Sequence, residues 1–548
     1  MHFDTTSARP SILISSPKKG DVLCSSLSLI LCAFTIAFSQ ASETLPPNAP
    51  EPILQVSAPF EVPEFKRPVF ADRNFDIRDF GATEGGVVKN SESIRKAIEA
   101  AVKAGGGRVV VPAGVWLTGA IHLESNVNLN LAKGAELLFS QDPIDYLPAV
   151  FSRHEETECY KYSAFIYADR KSNIAITGEG TLNGQGKPWW AWKESRKNSE
   201  QLLEEMASKN VPVRERVFDG TNGRILRPAF FQPMNCSNVL VEGVTFLYGA
   251  FWTIAPTYCN NVIIRRVKIT TEGSYGHTPN GDGVDPSSSK NVLIEYCKFD
   301  TGDDCIAIKS GRDKDGLRVG VPTENVIVRH CEGWRGHGGI SIGSETSGGI
   351  RNIYATDCRF HGTERVVRIK TTRGRGGTIE HLWFHNLSAD TSQQEVLGIN
   401  MLYTGTRLPA EKVTETTPRI QDIHFSNIFC SNGKKGSIEI VGLPEMPVES
   451  VTFDSIAIVS AKGIACTDAE MIQFRNIDMT QSAGPLISIL DCTKLTVDRM
   501  QIPNGISPVV YADGARTSDV SISNTKGAGR AVEVQYGPTI NHGAVKIQ

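Results

Sequence analysis

Asn291-Val292-Leu293-Ile294-Glu295-Tyr296-Cys297 and Asn325-Val326-Ile327-Val328-Arg329-His330-Cys331 are two statements of one phrase. An Asn opens it, three aliphatic residues follow, and a Cys or other apolar residue closes it. The phrase begins again at Asn238, Asn261 and Asn352, with weaker copies at Asn173, His381, Asp422 and Ser450, at a period of roughly 23–34 residues. Apolar and polar residues alternate within each copy and then meet Gly, Asn, Asp or Ser, which is strand followed by turn, with no helical period between copies. A unit this small cannot bury its own apolar face. The copies must therefore stack as a β-solenoid whose coils each bend two or three times. A leucine-rich horseshoe needs a different Leu/Asn spacing, and a propeller needs antiparallel hairpin turns.

The register of the phrase assigns several residues at once. Cys297, Cys331 and Cys358 fall in the slot that Val244 and Val267 fill in earlier coils, so they read as an inward stack of small apolar side chains rather than as disulfides. The leading Asn residues read as a stack at a turn, where an amide tolerates left-handed backbone and bonds its neighbours. One helix precedes the first coil. Ile94, Ala97, Ile98, Ala101 and Val102 share a face, Asn90 or Ser91 is placed to cap its start, and Gly105-Gly106-Gly107 ends it. An apolar face at that point covers the open end of the solenoid.

The formal net charge of −3 gives no global attraction to nucleic acid or to acidic membranes, so any site for a polyanion must be local. Lys18 and Lys19 precede an apolar run from Val22 to Phe38, and Ser39-Gln40-Ala41 offers small residues for cleavage. Residues 1–41 thus read as an export signal of a secreted or periplasmic protein with no stable membrane insertion, 42–73 as a Pro- and Glu-rich linker or arm, and 74–548 as the solenoid. Beyond Asp390 the coils weaken and are read as continued solenoid with a C-terminal cover.

Acidic and basic residues gather in four segments about one coil apart: Asn280-Gly281-Asp282-Gly283, Gly302-Asp303-Asp304-Cys305, Gly336-His337-Gly338 and Arg368-Ile369-Lys370. Set at similar places in successive coils, they line one groove. Alternation turns Arg368 and Lys370 to one face and Ile369 to the core. Adjacent Asp303 and Asp304 cannot both face out of a regular strand, and an unpaired buried carboxylate is costly, so this pair must sit at a bend. Glycoside hydrolysis needs one carboxyl to protonate the leaving oxygen and another carboxylate as base or nucleophile, and crowded carboxylates keep a proton to higher pH. Arg368 and Lys370 suit a substrate carboxylate. Lys309, Arg312, Arg373 and Arg375 add local positive charge suited to an acidic polymer.

From about Phe75 to about Asp390 the sequence resembles glycoside hydrolase family 28, the polygalacturonases. The resemblance is carried by "DIRDFGA" from Asp76, "VPAG" from Val111, "FWTI" from Phe251, "GDDCIAIKSG" from Gly302, "GHGGISIGSE" from Gly336 and "RIKTTRGRGG" from Arg368. It implies a right-handed parallel β-helix, Asp303 as proton donor, and Asp282 and Asp304 as the carboxylates that activate water with inversion at the anomeric carbon. It further implies His337 as a supporting histidine, Arg368 and Lys370 as the galacturonate-carboxylate pair, and Asn280, Lys309 and Tyr403 as further substrate contacts. No cofactor or metal is called for, and the expected form is a monomer acting on an acidic polysaccharide or oligogalacturonide.

Two positions depart from the family pattern. Gly281 stands where Thr is usual, and Ala255 where bacterial relatives often carry His. The polar, Trp-rich insertion at 189–227 is expected to wall off one end of the groove and favour release from chain ends. Three rivals stay open at this level: the same chemistry on a rhamnogalacturonan or other uronate-rich glycan, a Ca²⁺-dependent pectate lyase, and a silent polysaccharide-binding β-helix.

Overall fold

The Asn of each phrase marks a corner. Asn173, Asn238, Asn261, Asn291, Asn325 and Asn352 all have φ between 54 and 58°, and so do His381, Asp422 and Ser450, the openers of the weaker copies. The amides form a ladder up the stack: Asn238 donates to Asn173 at 2.9 Å, Asn261 to Asn238 at 3.0 Å, Asn325 to Asn291 and Asn352 to Asn325 at 3.0 Å. At one step Asn291 donates to Asn260 at 2.8 Å instead. Each amide satisfies the next at a bend where most side chains are disfavoured.

The computed structural model describes residues 52–195, 197–403, 405–527 and 531–548. In the body formed by Gln55–Gln548 the strands after each Asn corner pair in parallel in one unbroken column, from Asn74–Asp76 to Val545–Ile547. Val262, Val292, Val326, Ile353 and Leu382 stand in register and are fully buried. Short strands after a second bend, such as Lys268–Thr270 and Lys298–Asp300, form a second face. Ile306–Ile308, Gly338–Ile342, Arg365–Lys370 and Glu395–Asn400 form a third. The molecule is a parallel β-helix. Identical side chains repeat up its core, as in the stacked rings of Phe425 and Phe453, 4.8 Å apart and inclined by 2°.

All cysteines from Cys159 to Cys492 are free and buried, as the register requires. Cys297, Cys331 and Cys358 each turn the thiol to a carbonyl two residues back, at 3.3–3.4 Å. The capping helix α1 (Ser91–Lys103) buries Ile94, Ala97, Ile98 and Ala101. Val102 is instead 43% exposed, because it lies past the edge of the apolar stripe. Asn90 sits at the N-cap but does not cap; its amide bridges Thr83, Val88 and Leu117, locking the loop before the helix.

Three further features refine the sequence reading. Strand pairing continues to Val545–Ile547, which adds to Val520–Ser523, so the expected C-terminal cover is another coil. The segment after Gln55 is a docked arm rather than a loose linker: Arg67 bonds Glu242 at 3.0 Å, Asn261 donates to the Lys66 carbonyl at 2.9 Å, and Phe60 packs on Trp383. An antiparallel hairpin, Val150–His154 with Thr157–Lys161, stands off the solenoid and receives Val217–Phe218 as a third strand. The insertion region supplies two helices, α2 (Lys187–Ser195), whose Trp189 packs into the main core, and α3 (Lys197–Ser208), which lies against the hairpin. The expected signal at 1–41 and the start of the arm lie outside the described residues.

Candidate active site

The third face aligns the four charged segments. Val284, Ile306, Ile340 and Val367 are successive partners across the stack. Asp282 and Asp304 each lie two residues before their member of this row, and Asp303 and His337 each lie three before. One slot therefore stacks Asp282 against Asp304, and the next stacks Asp303 against His337. One carboxylate oxygen from each of Asp282, Asp303 and Asp304 lies within 4.8 Å of the other two. Asp303-Asp304 occupies the bend before strand Ile306–Ile308, as the cost of burying one of two adjacent carboxylates requires.

Each carboxylate has its own cation. His337 Nδ1 is 2.8 Å from Asp303 Oδ1, Lys370 Nζ is 2.7 Å from Asp304 Oδ2, and Lys309 Nζ is 3.9 Å from Asp282 and 3.1 Å from Glu345. Three carboxylates so close could offer oxygens to a divalent ion, but three side-chain cations already neutralise them. A second such group, His154 with Glu155 and Glu200, is likewise occupied: Lys161 Nζ lies 3.3 Å from His154, and Arg312 lies 3.7 Å from Glu155.

The pairing distributes protons unevenly. The bond from Asp303 raises the His337 imidazolium to about 9. Burial favours a neutral Asp303, but the His337 bond and charge overcome it and hold this carboxyl below the usual range. Asp282 goes the other way. Burial, then Asp285 and Asp303, push it well above an ordinary carboxyl. Burial pushes Asp285 up as well. Burial opposes the charge on Lys309, yet Glu345, Asp282 and Asp285 hold it well above an ordinary lysine.

Asp285 is a site residue the sequence reading missed. It lies one residue past Val284, in the row of Ala307, Ser341 and Arg368, and its buried carboxyl is near enough to Asp282 for their charges to interact. Counting the row forward from Asp282 would have found it. Arg227, at the end of the insertion, was also missed. It is buried, stacks at 4.8 Å over Phe251, and donates at 2.7 Å to the Asn280 side-chain oxygen.

The other expected contacts divide into two groups. Arg368 is half-buried and makes no ion pair among the described residues, with its guanidinium 5.7 Å above the Tyr403 ring. Lys370 is equally close to Tyr403, so that tyrosine does join the site. Lys370 itself is buried on Asp304 while lining the same hollow as Arg368 and Tyr403. Arg312, Arg373 and Arg375 are held by Glu204, Glu445 and Asp313, so they do not form the free basic patch expected of them.

Two glycines keep the site open. A Cβ on Gly281 would lie 2.7 Å from Thr271 Oγ1, whose hydroxyl donates to the Gly281 carbonyl; this is why Thr is absent there. A Cβ on Gly338 would stand 3.0 Å from Asp304 Oδ1, so glycine keeps that oxygen clear.

A family model, "Glycosyl hydrolases family 28", matches residues 219–483. Among solved structures, a hyperthermoactive exopolygalacturonase from Thermotoga maritima is 38% identical, with a TM-score of 0.70, over 76% of this chain and 94% of that one. The chain belongs to glycosyl hydrolase family 28. It is a glycoside hydrolase, and its solenoid is the right-handed β-helix of that family. Two further family 28 relatives are less similar. An exo-poly-alpha-D-galacturonosidase of Dickeya chrysanthemi is 26% identical over 73% of this chain and 70% of its own length. A probable polygalacturonase of Vitis vinifera is 29% identical over 72% of this chain and 77% of its own.

Proposed function

We propose that this family 28 enzyme hydrolyses α-1,4-galacturonosidic bonds of polygalacturonate from chain ends, with inversion. The observation that carries the chemistry is the stacking of Asp303 on His337 beside Asp282 and Asp304. Asp303 and His337 together hold one proton up to a pH of about 9, which gives the leaving oxygen a donor at neutrality even though the proton rests on the imidazole before substrate binds. Asp303, beside the other two carboxylates, is the member that delivers it. Asp282 Oδ1 and Asp304 Oδ1 are buried and meet no protein donor among the described residues, so both are free to accept from an attacking water. The carboxyl oxygens stand closer than the roughly 6.5–9.5 Å usual for inverting enzymes. Inversion therefore rests on the family resemblance, and the first-formed anomer tests it: β sugar from an α linkage.

Arg368, beside Tyr403 and without a protein anion, suits the substrate carboxylate. Exo action is supported by the hairpin and α3, which pack against the residues that follow the carboxylates in their coils. Arg153 and Glu156 of the hairpin bond Ser287, and Glu204 of α3 pairs with Arg312. The exo-acting names of the Thermotoga and Dickeya relatives point the same way. The apolar run after Lys19 fits export to a compartment where such a polymer is met, and among the described residues no helix is long and apolar enough to cross a membrane.

Timed product sizing on polygalacturonate with chelator present tests the reading. Saturated mono- or digalacturonate from the first minutes supports it. Unsaturated products or chelator-sensitive activity would make the enzyme a lyase, and an early ladder of long products would make it endo-acting.

A further inference from the structure

Across the bend from the active groove, on the second face, lies a separate hollow of about 550 Å³. Its rim carries Tyr248, Lys268, Lys298, Trp334 and Arg335. Lys268 and Lys298 are exposed and stand directly opposite each other on neighbouring parallel strands. Like charges in that relation are destabilising. The clash is hardly relieved within the protein: Lys298 reaches Glu332 only at 3.6 Å between largely exposed side chains, and Lys268 has no hydrogen-bond or ion-pair partner among the described residues. The acids of the hollow are already engaged, Asp300 by Arg335 at 2.6 Å and Glu272 by His277 at 2.5 Å. A positive surplus remains.

Beside it, Trp334 is 38% exposed and held flat by stacking on His361 at 5.3 Å. Tyr248 is backed by Tyr275 at 4.7 Å. An exposed indole face and a half-buried phenol ring, beside a lysine pair whose charge is only partly compensated, match a sugar ring that offers C–H groups on one face and a carboxylate at its edge. An acidic peptide would match the ammonium groups but not the flat faces. The two lysines come from adjacent strands, about 4.8 Å apart along the solenoid axis. A chain of uronate units laid along that axis meets a cation at each of these two windings.

We propose that this hollow is a second, non-catalytic binding site for a uronate-containing oligosaccharide, which holds the polymer on the enzyme while the groove cleaves. It rests on the reading of the substrate as polygalacturonate. The test uses Trp334→Ala and, separately, the double variant Lys268→Ser/Lys298→Ser of the full chain. In otherwise active protein, both should cleave trigalacturonate with kcat/KM within about twofold of the parent. With Asp303→Asn added to prevent turnover, both should bind polygalacturonate at least about fivefold more weakly than Asp303→Asn alone, by titration calorimetry. Parental polymer affinity in both variants would overturn the site. Equal competition by polyglutamate would overturn its glycan chemistry. If the parent neither binds nor cleaves polygalacturonate, the substrate reading fails and this site fails with it; parental cleavage with unchanged binding removes the second site alone.

Discussion

Asp303 and His337 occupy the same slot of neighbouring coils, and their carboxylate and imidazole meet at 2.8 Å. On the proposed mechanism, acid catalysis is a property of two windings in register, not of one side chain. Asp303→Asn should lower kcat by roughly 10²–10⁴-fold, since an amide cannot deliver the proton. Its melting temperature should stay near the parent's. Reducing-end release and a thermal melt check both, and full activity would remove Asp303 from the donor role.

The pair also sets an alkaline limit. Its proton is present below the raised imidazolium value and lost above it, so kcat/KM should fall as pH rises through about 9. His337→Gln removes the ionisation that sets this limit. Its pH profile should be weaker throughout and lack the fall near 9; a limb that persists there belongs to another group.

On the acid side, Asp285 adds a like charge beside Asp282 and raises it. Asp285→Asn takes that charge away, so Asp282 should ionise at lower pH and the acidic limb of kcat/KM should shift downward. An unmoved limb would separate Asp285 from the reaction.

Lys370 and Arg368 lie two residues apart on one strand, yet their losses should read differently. Lys370→Ala strips the cation from buried Asp304 and should destabilise the fold by about 3–5 kcal/mol, with activity falling as well. Arg368→Ala leaves no protein anion unpaired; it should raise KM for charged substrate at least about tenfold with an unchanged melting temperature. Denaturant melts and KM values for both variants distinguish the two roles.

How far the sequence spoke varied with the physics. The Asn corners and the cysteine slot were legible because a solenoid repeats one local rule, and a residue that breaks the rule is visible against its neighbours. The alignment of Asp282, Asp303, Asp304 and His337 followed from the same repeat. The pairing of Lys370 with Asp304 was not legible, because strand alternation gives a direction but not a partner, and only the stack joins them across two windings. The hairpin at Val150–Lys161 escaped notice because it interrupts the repeat, and its buried Arg153 and Glu156 look like ordinary surface charges until Ser287 is placed beside them.

The unbroken column from Asn74 to Ile547 has a consequence for how the enzyme fails on heating. The strands of each winding pair only with those above and below it, so melting starts at the ends of the column and works inward. The windings after Val448 carry none of the catalytic groups, and the chemistry lies in the middle of the column. Amide exchange should open the last windings first, while the central ones keep their protection and the warmed enzyme goes on working until the fraying reaches Asn400.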